Sequence, residues 1–139
     1  MQMIRCFFLI LIFFGCNSSG IEQSKKKIQT TVNELNCILE SVESSDDLND
    51  KFEVIKKRLD FLACQMINLR KESIKRSDRW YKLDLETRKL EAQLERIFNI
   101  EGCLEIYESC ALDALYRLDA FERDLFYPSF EKRKNNYHL

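Results

Sequence analysis

The chain has 139 residues, with Lys+Arg 22 and Asp+Glu 23, a net charge of −1. That balance excludes a global pull toward nucleic acid and a polyacidic tail, and the length suits one domain with a real core. Three glycines, one proline and 32% charged residues leave few turn formers, which favours long helices over a β-fold.

The front end comes first. One positive charge, Arg5, precedes an unbroken apolar run of nine residues, Cys6 to Phe14. A helical bilayer span needs about 20 such residues, so the run is too short to cross. A basic start, a short greasy stretch and then small residues is the layout of a secretory signal. The small residues are Gly15, Cys16 and then "NSSG". This resembles a bacterial lipoprotein signal, in which a cysteine after a small residue becomes the lipidated N-terminus; Phe13 and Phe14 stand where that family has Leu and a small residue. The resemblance covers residues 1–16. It implies a signal peptide over 1–15, lipid such as palmitate on Cys16, attachment to a membrane through that lipid, and a place in a bacterial cell envelope, with the outer membrane or cell surface favoured. Cysteine parity points the same way. Removing Cys6 and lipidating Cys16 leaves Cys37, Cys64, Cys103 and Cys110, an even set that suits an oxidising compartment. Residues 16–21 then read as the lipidated cysteine and a polar tether.

From residue 22 the apolar residues keep helical time. Ile21, Ile28, Val32, Leu35, Leu39 and Val42 form one stripe. "SSDD" (Ser44 to Asp47) interrupts it and supplies N-cap chemistry for a new helix. Leu48, Phe52, Ile55, Leu59, Leu62, Met66 and Leu69 follow in strict 4-3 steps, a heptad seam of coiled-coil type. Ser77 and Asp78 mark the favoured turn. The next stripe is Trp80, Leu83, Thr87, Leu90, Leu94 and Ile97, and it keeps the heptad count without a slip, so one helix over 46–99, roughly 75 Å long, stays open. Asn99 to Gly102 ends it. Leu104, Tyr107, Ala111, Leu115, Leu118, Phe121 and Leu125 form the last stripe, which Pro128 stops; 128–139 reads as a polar tail. Narrow stripes bury against other helices. The spacing predicts an all-α fold over 22–127, an antiparallel helical bundle or coiled-coil hairpin of three to four helices, with helices near 22–43, 46–76, 78–99 and 102–127. The long-rod alternative would need a second copy to cover its seam, so a homodimer also stays open.

Few residues carry candidate chemistry. Cys103 and Cys110 are seven apart on one helix, about 10 Å, too far for a disulfide. Counting heights along an up-down bundle favours Cys37–Cys103 with Cys64–Cys110. Cys37 and Cys64 lie off their stripes, so outward free thiols or a bond to another chain stay open. No CxxC pair argues for zinc, and no phosphate loop, dinucleotide fingerprint or HExxH motif is present. His138, the single histidine, offers no triad. These observations call for no catalytic residue, no cofactor and no metal. Trp80 reads first as a residue closing the core. Phe121, Phe126, Tyr127 and Phe130 group near the chain end, as a partner patch or as caps on the bundle. Lys132, Arg133 and Lys134 are too few to argue for nucleic acid. The expected function is a non-enzymatic, lipid-anchored envelope protein presenting a helical surface to a protein partner. A pilotin-like lipoprotein assisting assembly of a secretion system and a host-ligand-binding surface lipoprotein are the alternatives.

Overall fold

The computed structural model describes residues 19–76 and 85–126. Five helices, and no strand among the described residues, make an all-α bundle: α1 (Ser19–Glu40), α2 (Ser45–Asp50), α3 (Phe52–Arg76), α4 (Leu85–Phe98) and α5 (Cys103–Phe126). Two boundaries differ from expectation. α1 opens inside the stretch read as tether, and Ile21 is already buried. The helix expected over 46–76 is two helices. Ser44, in extended geometry, accepts from the Asp47 N–H at 3.2 Å, while the Asp47 carboxylate accepts from the N–H groups of Ser44 at 3.0 Å and Glu43 at 3.1 Å. This capping box starts α2. Asp47 thus bonds the turn before it. Lys51 leaves helical geometry (φ −95°, ψ 1°), and α3 starts afresh at Phe52. The favoured turn at Ser77–Asp78 lies outside the described residues.

Side-chain pairs give the topology. Arg58 on α3 pairs with Glu34 on α1 at 3.1 Å, and these helices run antiparallel. Lys56–Asp113 (2.8 Å) and Asp60–Arg117 (3.8 Å) share one sequence offset, so α3 and α5 run parallel. α4 lies parallel to α1: Arg96, near its C-terminus, donates to the carbonyls of Leu39 and Val42 at 2.7 and 2.8 Å. α4 and α5 form a tight hairpin closed by the Phe98 and Tyr107 rings, edge to face at 5.4 Å. α3 packs on α1 and α5; α4 packs mainly on α1 and only lightly on α5. Short breaks therefore do not always join neighbours: α3 and α4 are consecutive, yet α3 packs chiefly on α5 and α4 chiefly on α1. Since they run in opposite directions along α1, a single rod over 46–99 is excluded. Both remaining bends lie at one end. Gly102 holds φ 80°, a conformation glycine adopts without strain, and a Cβ there would stand 3.5 Å from Ser45 Cβ.

The stripes supply the core. Val32, Leu35, Leu39, Leu59, Leu62, Met66, Leu90, Leu94 and Ile97 are essentially inaccessible. Burial of each such side chain contributes about 1.5–3 kcal/mol relative to exposure. α5 keeps part of its expected stripe, with Tyr107, Ala111 and Leu118 buried, and departs from the rest. Cys103, Cys110 and Ala114 are buried, whereas Leu104, Leu115, Phe121 and Leu125 are half-buried. Small side chains let α5 approach its neighbours closely, so several of its larger apolar residues stay half-buried beside them. Among the described residues, no helix is long and apolar enough to cross a membrane.

Candidate functional site

Among the described residues Cys37, Cys64, Cys103 and Cys110 are free thiols. The expected Cys37–Cys103 and Cys64–Cys110 bonds do not form in the structure, and the reason is height. The α2 break starts α3 at residue 52, so Cys110 meets the base of α3: its thiol donates to the Phe52 carbonyl at 3.7 Å. Cys64 lies three turns higher and receives Arg117 Nη1 at 3.8 Å. Cys37 is exposed while Cys103 is buried. Burial pushes the Cys103 thiol up, and pushes Cys110 from 9.0 to about 11. Both stay protonated and inert at neutral pH. Burial likewise raises the Tyr107 phenol far above its usual range.

The aromatic group near the chain end is only partly described. Phe121 is half-buried, with the Lys71 ammonium 5.8 Å above its ring centroid. It sits between α5 and α3 as a part of the bundle end. Phe126 closes α5; Tyr127 and Phe130 lie outside the described residues, as do Cys16, Trp80 and His138. The exposed large apolar residues, Val54, Phe61, Leu112 and Tyr116, are all on the outer faces of α3 and α5. Among the described residues, no group of three or more His, Cys, Asp or Glu is arranged to hold a metal ion.

Charge is where the fold adds most. The end that holds both bends is strongly acidic. Glu40 closes α1 and Glu43 follows it; Asp46, Asp47 and Asp50 lie on α2; Glu53 opens α3. Glu95 lies in the last turn of α4, Glu101 in the hairpin, and Glu105 and Glu108 in the first turns of α5. Ten carboxylates stand there against three bases, Lys51, Arg96 and Lys89, whose ammonium reaches Glu40 at 3.4 Å, and most are exposed. Part of this has a local cause. Asp46, Asp47, Glu53 and Glu105 occupy first turns, where carboxylates complement the helix dipole. Glu40 and Glu95 sit at C-terminal ends, where that cause works against them. The Asp47 carboxyl is held below its usual range, chiefly by the Ser44 hydroxyl and then by the Glu43 N–H. Higher up, the Lys56–Asp113 bond raises the lysine and lowers the carboxyl.

At the opposite end α1 begins, and α3 and α5 finish. There Lys26, Lys27 and Lys71 are exposed, beside the pairs Lys25–Glu22, Arg70–Glu122 and Arg123–Asp119 and the further acids Glu72 and Asp124, so this end is close to balanced where the other is strongly acidic. The overall charge of −1 conceals this polarity, because the acids are scattered along the chain and meet only when the bends come together. Arg96 was also missed by sequence reasoning. Its one signal was a basic residue in the last turn of α4. No family model, curated protein or solved structure matches the chain.

Proposed function

We propose that the protein is a non-enzymatic, lipid-anchored component of a bacterial cell envelope that presents its helical bundle to a protein partner. The observation that carries this reading is the run Cys6–Phe14 followed at once by Gly15 and Cys16. The apolar run is too short to span, and it ends in the one residue type that envelope lipidation uses. The helical body supports it in a second way. A closed core whose outer faces carry charged residues together with the exposed Val54, Phe61, Leu112 and Tyr116 offers surfaces for docking, and its buried thiols are chemically quiet. In this reading the lipid on Cys16 holds the protein at the membrane and the bundle supplies recognition. No observation in the bundle favours the pilotin-like or host-ligand reading over the general one.

The test is intact mass of the protein extracted from its native membrane fraction, with and without reductant. The expected product begins at Cys16 and carries diacylglyceryl and acyl mass. A product that begins at Met1, or an unmodified Cys16 in a product that stays out of the membrane fraction, overturns the proposal.

A further inference from the structure

Resting on the anchored reading, we infer that the bundle meets an anionic lipid surface end-on, through the end where α1 begins, with its acidic end pointed away. The first argument is chain length. α1 opens at Ser19, three residues beyond Cys16. Three extended residues span roughly 10 Å, so a lipid on Cys16 holds the start of α1 at the headgroups. This does not by itself decide whether the bundle stands or lies flat.

Electrostatics decides that. Lying flat would bring the ten carboxylates of the far end onto a negative surface, where each is repelled. Standing places them about 35–40 Å away, roughly the length of α3, and several Debye lengths beyond the surface potential. Meanwhile the exposed Lys26, Lys27 and Lys71 stand at the near end, where their attraction outweighs the repulsion of Glu72 and Asp124 by a small margin, so the acidic far end supplies most of the bias. Attraction at one pole and repulsion at the other give the same orientation. The partner recognised at the α1 end is therefore the anionic headgroup layer. The end presented to the surroundings is the acidic one.

Lysine acylation mapped by mass spectrometry tests this on the native protein reconstituted into vesicles. The vesicles are either phosphatidylcholine alone or phosphatidylcholine with phosphatidylglycerol. On the anionic vesicles Lys26, Lys27 and Lys71 should be protected while Lys51, at the acidic end, stays as reactive as in detergent. The protection should fade with added salt. In K26Q/K27Q the protection of Lys71 should drop by about fivefold per charge removed. In E101K/E105K, whose sites are exposed, Lys51 should become protected as the bundle lies down. Equal reactivity of all four lysines, or protection of Lys51 in the unmodified sequence, overturns the inference even if Cys16 carries lipid. Selective protection on anionic vesicles of a protein that lacks lipid on Cys16 upholds the pole and sinks only the anchor.

Discussion

Two parallel helix pairs hold this bundle, and they are built differently. Along α3 and α5 the buried residues include Ala63, Cys110, Ala111 and Ala114, and ion pairs line the rim. Small side chains bring backbones close, so this seam depends on shape. α1 and α4 instead carry the three buried polar residues, Thr31, Asn36 and Thr87, and are joined by Arg96 reaching the last carbonyls of α1. The polar link across that seam is the Arg96 fork, since Thr31 bonds its own helix through the Lys27 carbonyl at 2.8 Å. The contrast teaches that a bundle with regular stripes can fix neighbour choice by two separate means. Close approach selects α5 for α3, and a C-terminal cap selects α4 for α1.

Core truncation comes first among the ways to break this comparison. Leu59 of α3 and Leu94 of α4 are equally buried. Alanine at either should cost about 3 kcal/mol, within the range for buried leucine. Urea unfolding reads this, and a much smaller loss at Leu94 would show that α4 packs loosely after all. Overpacking the shape-dependent seam is next. Ala114→Leu should cost about 2 kcal/mol by forcing α5 outward; a neutral result would deny that α5 approaches closely. Arg96→Ala should cost about 1.5 kcal/mol through the lost charge-assisted bonds to two carbonyls. Arg96→Lys should not restore it, because one ammonium cannot reproduce the fork. Full rescue by lysine would reduce the cap to a simple charge effect.

The smallest effect is alkaline. The Cys110 thiol titrates at about 11 in the fold, raised from 9.0, so folding favours its protonated form. Stability is intact below the unfolded value and is lost as pH rises toward the folded one. Urea midpoints at pH 7 and pH 10 should show this fall, and Cys110→Ala should flatten it. An unchanged slope in that variant would assign the alkaline loss to other groups.

Much of the architecture was legible because α1, α3 and α4 bury the stripes that periodicity draws. Leu48, Ile55, Leu59, Leu62, Met66 and Leu69 are all buried as spaced. Helix ends were harder. The start of α2 follows from Ser44 and Asp47, but its stop at Lys51 has no sequence signal, and the counted heights set Cys110 level with Cys64 where it lies level with Phe52. On α5, Cys110 and Ala114 were passed over for Leu115 and Leu104, since reading by size misses a seam built on smallness. The acidic end was invisible for a different reason. Its carboxylates belong to five helices and two bends, and only the folded path gathers them.

Gly102 against Ser45 has one more consequence. Because both bends meet at that end, the described chain enters and leaves the bundle at the other, with Ser19 opening α1 and Phe126 closing α5. A circular permutant opened between Asn99 and Glu101, with the old ends joined by a short linker, would keep every long helix whole and cut only the tip of one hairpin. Its new termini would emerge beside the carboxylates, a convenient place for a reporter.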